Sequence, residues 1–384
     1  MAQHKQNRRC LVFKVDDDLY KNVRETLKKA GMTDRQISRA KYREDGICLN
    51  GRRVRVTEPV KAGDEIRFLL EDPRKETGED QRIGERNVPE CARGAEMDEA
   101  PRGKRRDAGF MKPSKIYEDE DILVVNKPAD MAVHPSHGHH GDTVTDLLQE
   151  TEPDAAGVCW HVVGRLDKET SGLLLLAKHA VAAARLSKRG RVEKEYEALV
   201  CGCVGSDELT IDLPIRKRDG YLNRMEAVKP DASSVEDAKR AVTHVRVLGR
   251  GKALTLVRCI LQTGRTHQIR VHMAAVGHPL LGDRIYGETA EEMYARSPAE
   301  RNEEPECGKN AEPFGEKKAE PSAEKRTDPA GKRMTRAALH CVGMRLVHPV
   351  TGEHLSFEAP LPEDMKNALE TDGCYACAAA ALIS

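Results

Sequence analysis

Gly164-Arg165-Leu166-Asp167-Lys168-Glu169-Thr170-Ser171-Gly172, followed by the four leucines Leu173 to Leu176, is the stretch on which the reading of this chain turns. Upstream lies Val158-Cys159-Trp160-His161-Val162-Val163, apolar and β-branched. Downstream the leucine run ends in Ala177-Lys178. Both flanks read as buried strands and the middle as a polar loop closed by glycines. The loop sets one carboxylate, Asp167, between two cations, Arg165 and Lys168. A nearby positive charge keeps a carboxylate ionised even where it is partly buried, and an ionised, positioned Asp can serve as nucleophile or base. A polar turn with a local ion pair uses the same residues, so the loop alone leaves both readings open.

A chain of 384 residues has room for more than one domain. Lys plus Arg and Asp plus Glu are 63 each, a formal net charge of zero that hides local asymmetry and does not exclude a nucleic-acid partner. Charged residues make up 33% and aromatics 4%, which implies that part of the chain is solvated rather than packed. No apolar run is long enough to span a bilayer. Met1 to Cys10 is polar and basic without an apolar core, so no secretory signal is expected and the chain reads as cytoplasmic. Its 11 scattered cysteines are then expected to be reduced.

Residues 1–72 carry 17 Lys/Arg against 12 Asp/Glu. Asp16-Asp17-Asp18 suits the start of a helix with Leu19, Val23 and Leu27 on one side, stopped by Gly31. A second short helix is expected near Asp34 to Tyr42. Asn50-Gly51, between Ile47-Cys48-Leu49 and Arg52 to Val56, is a hairpin signal, and Ile66 to Leu70 reads as a last strand. Basic side chains cluster at Arg35, Arg39, Lys41 and Arg43 and again at Arg52, Arg53 and Arg55. Such clusters suit phosphate contacts, although charge alone slightly favours an ordinary solvated face. Residues 73–112 are rich in Glu, Arg, Gly and Pro and read as a disordered linker, as do residues 288–334 as an insert.

Between these stretches the chain is patterned for packing. Ile122 to Lys127 reads as a strand ended by Pro128, Thr143 to Leu148 as a short helix, and His179 to Arg189 as a helix ended by Gly190. Val192 to Val200 alternates as a strand, with Lys194 and Tyr196 on one face. Tyr196 suits core packing or base stacking. His134, His137, His139 and His140 crowd one loop, but no acidic or cysteine partner stands at ligand spacing, so metal binding is the weaker reading. Further strands are expected over Ala241 to Leu248 and Ala253 to Leu261. Thr266 reads as the cap of a helix with Ile269, Met273 and Val276 on one face, from which Arg270 projects toward a neighbouring acid. A hairpin closes through His348 to Gly352. The tail after Glu370, with Cys374 and Cys377 as a lone C-x-x-C, reads as a frayed end.

Taken together, Asn126-Lys127-Pro128 with His134-Pro135, Gly164 to Asp167 with Thr170 to Leu173, Lys194-Glu195-Tyr196, Gly264 to His272 with Gly282-Asp283 and Tyr286-Gly287, and Leu339-His340 with His348-Pro349 resemble, in order, the RluA-type pseudouridine synthases. The resemblance spans residues 115–287 and 335–365. Ser38-Arg39, Asp45 to Gly51 and Gly63 to Ile66, after two helices, resemble the small alpha-L RNA-binding domain of a ribosomal protein and several RNA-modifying enzymes. The resemblance implies an α+β catalytic domain over 113–287 and 335–370, built on a mixed, largely antiparallel sheet with an RNA cleft across it. A small N-terminal α/β RNA-binding domain over 1–72 precedes it, with Arg39, Lys41, Arg43, Arg52 and Arg53 as its RNA contacts.

The implied reaction turns a uridine in RNA into pseudouridine. The uracil leaves its ribose, turns, and rejoins through carbon 5, with no net redox change, hydrolysis, cofactor or metal. The uridine must first be flipped from its stack, at a cost of a few kcal/mol. By the same resemblance Asp167 is the nucleophile, Arg165 fills the vacated space, Tyr196 stacks on the flipped base and takes part in proton transfer, and Arg270 pairs with Asp167. RNA is the expected partner, large-subunit ribosomal RNA ahead of transfer RNA, and a monomer the expected state. A catalytically silent RNA-binding or ribosome-assembly factor on the same fold is the alternative. A phosphotransferase with an aspartyl nucleophile fits less well, because Glu169 stands where a second Asp is usual and no βαβ alternation surrounds it.

Overall fold

The computed structural model describes residues 9–16, 21–70, 111–135, 141–151, 159–218, 220–221, 224–228, 237–287 and 334–374. The linker and insert readings apart from residues 111–112 and 334, Asp17 to Leu19 of the first helix reading, His137, His139 and His140, and Cys377 lie outside the described residues.

The N-terminal unit is built from β1 (Cys10–Lys14), α1 (Val23–Lys29), α2 (Asp34–Ala40), β2 (Ile47–Leu49), β3 (Arg52–Arg53) and β4 (Glu65–Leu69). Its antiparallel sheet runs β1-β4-β2-β3. The first helix starts later than the acidic run suggests. Asn22 caps it by accepting from Glu25 N, and Cys10 to Lys14, not read as a strand, pairs with β4. Thr33 and Gln36 close a capping box on α2, each side chain satisfying the other's exposed amide. Asn50 and Gly51 have φ of 49° and 79°, the left-handed pair that a two-residue hairpin with right-handed strand twist demands.

The larger unit holds β5 (Ser114–Glu118), β6 (Ile122–Lys127), α3 (Val144–Thr151), β7 (His161–Val163), β8 (Ser171–Ala177), α4 (Ala180–Leu186), β9 (Val192–Cys201), β10 (Glu208–Asp212), β11 (Ile215–Lys217) and β12 (Met225–Ala227). There follow β13 (Val242–Arg250), β14 (Leu254–Leu261), α5 (Gln268–Ala275), β15 (Leu339–Val347), β16 (His354–Glu358) and α6 (Glu363–Asp372). Its main sheet runs β10-β13-β14-β9-β15-β8-β6-β5, with β16 on β15 and β7 on β8. All of these pairings are antiparallel except β15 with β8, so the sheet is mixed and largely antiparallel, as the motifs imply. The leucine run of β8 is buried at every position because it lies mid-sheet with both faces covered. Each of those leucines contributes roughly 1.5–3 kcal/mol by leaving water.

Gly172 explains why the loop ends as it does. Its φ is 108°, and a Cβ there would lie 2.3 Å from the Cys341 carbonyl oxygen, so only glycine lets β15 run beside β8. Helix α6 was not expected. Pro362 before it, Glu363 and Asp364 in its first turn and Gly373 at φ 75° after it are ordinary start and stop signals. It buries Met365 and Leu369, and Cys374 packs with them against Leu199 and Leu256, so the chain there is packed rather than frayed.

The two units share one junction. Val181 of α4 sits in the N-terminal core with Leu27 and Ile37. Gln36 donates to Ala180 O (3.0 Å), and Arg185 donates to Ala30 O (3.0 Å) and Pro349 O (2.7 Å). Arg9 reaches across to Asp121 (2.5 Å) and Glu120 (2.9 Å). Asp121 also meets His179 Nε2 (2.8 Å), and His348 Nε2 lies 3.0 Å from Asp119 and 3.7 Å from Asp121. Asp119, Asp121 and His348 stand close enough to hold a metal ion. The histidine's chemistry disfavours it: Nδ1 of His348 accepts from the amides of Val350 and Thr351, so the proton sits on Nε2, the atom a metal would need. The cation at this cluster is Arg9.

Candidate active site

The loop 164–170 is held by its own carbonyls. Lys194 of β9 donates to Gly164 O (3.2 Å), Lys127 of β6 to Lys168 O (3.1 Å), and Arg336 to Glu169 O (3.4 Å). Thr170 N closes the turn on Asp167 O (3.1 Å). Lys127 is fully buried, and its remaining donors go to Pro128 O (2.8 Å) and Met131 O (3.0 Å). Burial pushes its pKa down to about 7. Three basic side chains from three parts of the chain thus fix one loop through its carbonyls, and Lys127 also lies within electrostatic range of Asp167.

Cross-strand register brings Tyr196 to this loop. Cys341 of β15 pairs with Gly172 on one side and with Tyr196 on the other, and Tyr196 also faces Cys259 of β14. Tyr196 therefore stands two strand spacings, roughly 10 Å, from the strand that leaves the loop. A β-bulge between Cys341 and Gly343 adjusts β15 beside it. Tyr196 is buried, and burial, with the charges of Cys341 and Asp167, raises its phenol pKa well above the ordinary value. The phenol stays protonated at neutral pH.

Arg270 arrives from α5. His267, the residue before this helix, adopts a left-handed φ of 55° and offers no side-chain cap, in place of the expected Thr266 cap. Thr266 instead accepts from Arg165 (3.0 Å), joining the helix approach to the loop 164–170. Arg270 does not pair with Asp167 as the resemblance implies. Its Nε and Nη2 donate to the two oxygens of Asp283 (2.6 and 2.7 Å), and Nη2 lies 2.9 Å from Glu169. The reason is geometric. Asp283 N–H and C=O groups and the amides of Ile285 and Tyr286 fold the Gly282 turn around that carboxylate, presenting a bidentate mate at the helix flank. Asp167 still contributes to the field at Arg270: burial lowers the guanidinium pKa, but Asp283, Glu169 and Asp167 together raise it above the usual value. The same carboxylate acts electrostatically on Lys127, Tyr196 and His267.

The structure thus brings Asp167 within electrostatic range of Tyr196 on β9 and Arg270 on α5, and sets Arg165 against Thr266 before α5. It adds residues to which the sequence reading gave no role at this site: Glu169, Asp283, Lys127, and Tyr286, whose hydroxyl lies 2.9 Å from His267 Nδ1 and accepts from Met225 N (2.9 Å). Asp283 and Tyr286 stood inside a quoted motif, but no local pattern reveals that they serve Arg270. Arg39, Lys41, Arg43, Arg52 and Arg53 lie elsewhere, on the N-terminal unit. Arg53 donates to Lys41 O (3.3 Å), bringing the hairpin tip and the end of α2 onto one basic face.

Residues 121–275 match the family model described as RNA pseudouridylate synthase. Together with the relatives below, that match means the chain belongs to the RNA pseudouridine synthases and is an enzyme of that class. The ribosomal large subunit pseudouridine synthase D of Pasteurella multocida (strain Pm70) is 37% identical over 259 residues, 66% of this chain and 69% of that one. The protein of the same description from Vibrio cholerae (serotype O1, strain El Tor Inaba N16961) is 38% identical over 275 residues, 71% and 73% of the two chains. The uncharacterized RNA pseudouridine synthase YlyB of Bacillus subtilis (strain 168) is 38% identical over 261 residues, 66% and 71%. Among the described residues no helix is long and apolar enough to cross a membrane.

Proposed function

We propose that this enzyme isomerises uridines of large-subunit ribosomal RNA in the cytoplasm, with Asp167 as the nucleophile. One observation carries the assignment of Asp167. The bonds of Arg270 go to Asp283 and Glu169, while Asp167 is half-buried in the field of Arg270 and Lys127 without being consumed by a bidentate pair. A carboxylate beside cations but not locked into a bidentate pair is placed to act as a nucleophile.

In this reading a flipped uridine enters between the loop and Tyr196, and Arg165 occupies the gap in the stack. The Asp167 carboxylate attacks the nucleoside and the bond from ribose to uracil N1 breaks. The base turns, carbon 5 bonds to the ribose as the bond to the Asp167 carboxylate breaks, the carbon 5 proton is lost, and N1 gains one. The protonated phenol of Tyr196 offers a flat ring to the base and a proton donor near it. The basic face at Arg39, Lys41, Arg43, Arg52 and Arg53 holds the RNA through its phosphates. The names of two of the relatives favour ribosomal over transfer RNA.

The test is tritium release from carbon-5-tritiated uridine in ribosomal RNA transcripts, wild type against Asp167→Ala. Release by the wild type alone is the expected result. Release by both moves the chemistry off Asp167, and release only from transfer RNA transcripts overturns the substrate.

A further inference from the structure

We propose that Tyr221 is a stacking platform for an unpaired base of the substrate strand lying beside the flipped uridine. The proposal rests on the reading of this enzyme as a synthase acting on RNA, and names a contact outside the catalytic group. Strands β11 and β12 form a separate two-stranded ribbon, paired Ile215 to Ala227 through Lys217 to Met225. Beyond them Tyr221 stands 49% exposed, in a chain with few aromatics. Burial does not account for this ring.

Two arginines from the two sides of the ribbon flank it. The guanidinium carbons of Arg218 and Arg224 lie 5.2 and 5.6 Å from the ring centroid, within cation–π reach. A base that displaces one guanidinium from the ring frees that cation for the base's own phosphate. The electrostatic contact is exchanged, not lost, while the ring gains a stacking partner.

The ribbon is also fixed to the catalytic centre. Met225 N donates to the Tyr286 hydroxyl (2.9 Å), and the Tyr286 ring centroid lies 5.4 Å from the guanidinium carbon of Arg270. Ile215 and Lys239 exchange two backbone hydrogen bonds, at 2.9 and 2.8 Å. Between ribbon and catalytic loop opens a cavity of about 500 Å³, a usual size for a ligand site. Among the described residues its charged lining is Arg165, Arg216, Lys217, Lys239 and Arg265 against one acid, Asp237. Arg165, assigned to the flipped nucleotide's place, thus shares one basic cavity with the ribbon that carries Tyr221 at its turn, and a polyanionic strand is the ligand that fits it.

The experiment uses the full chain and a carbon-5-tritiated large-subunit ribosomal RNA fragment that the wild type binds, with a fluorescent purine analogue beside an unpaired uridine. Stacking on Tyr221 predicts quenching on binding by the wild type. In Tyr221→Ala the quench disappears and KM rises about tenfold, with kcat within about twofold, and Tyr221→Trp restores both. An alanine variant with unchanged KM and quench, or a tryptophan variant as defective as alanine, overturns the platform. Tyr221 is exposed, so folding does not confound the result. If the wild type binds and quenches without releasing tritium, the enzymatic reading fails while the platform stands. If it releases tritium without a Tyr221-dependent quench, the reverse holds.

Discussion

Two buried charge clusters organise this molecule, and they are built in opposite ways. At the cleft a cation is central: Arg270 faces Asp283, Glu169 and, at longer range, Asp167. At the junction of the two units an anion is central: Asp121 receives Arg9, His179 and, more distantly, His348. At the junction both Asp121 oxygens are taken, Oδ1 by His179 and Oδ2 by Arg9. His179 Nδ1 accepts from Ala182 N and His348 Nδ1 from two amides, so backbone geometry sets both imidazoles with their Nε2 protons toward the acids. At the cleft one acid is left over. A saturated cluster fastens, and a cluster with a spare charge can react.

The contrast breaks most visibly at Asp167. Asp167→Ala is expected to reduce tritium release by at least about a thousandfold while leaving the melting temperature within about 2 °C, because no bidentate mate is orphaned. Loss of stability comparable to that of the next variant would make Asp167 a structural acid. Asp283→Ala has the reverse profile. It strands a buried guanidinium, and thermal or urea unfolding should show a loss of about 3–5 kcal/mol. A mild effect would mean that Glu169 suffices for Arg270.

Arg9→Ala is expected to cost about 1–3 kcal/mol in urea unfolding, since Asp121 is buried and keeps its histidines. The junction also has a pH signature. Burial alone would raise the Asp121 pKa, but hydrogen bonds from His179 and Arg9 outweigh it and hold the group below its usual value. A carboxylate lowered on folding adds stability above its unfolded pKa, near 4, and loses it as pH falls through the folded value. The acid limb of the unfolding curve should therefore flatten in Asp121→Asn, and an unchanged limb would place the acid sensitivity elsewhere. Glu169→Gln sharpens the comparison with the smallest change, about 1 kcal/mol and a few-fold in turnover, because Asp283 keeps Arg270 in place.

Much of this was legible in the chain itself. The strands about the catalytic loop, the hairpin at Asn50-Gly51 and the helix bearing Arg270 follow from local period and turn chemistry. The partner of Arg270 does not. Asp167 lies 103 residues before Arg270 and Asp283 only 13 after it, yet both are acids in quoted motifs, and only the fold decides between them. Strand β1 was missed because five residues pair through a partner more than 50 positions away. Tyr196 and Lys194 could be put on one face from spacing, but that Lys194 grips Gly164 depends on the strand that intervenes.

That strand is β15. β8 and β9 are joined through α4 alone, yet β15 lies between them in the sheet. The gap separating the Asp167 loop from Tyr196 is thus set by residues near the end of the chain. During synthesis the nucleophile, the tyrosine and the arginine all leave the ribosome before their spacer exists. The Asp167 loop and Tyr196 gain the strand that spaces them only once β15 is made, so a nascent chain stopping short of Leu339 carries all three side chains without that spacer.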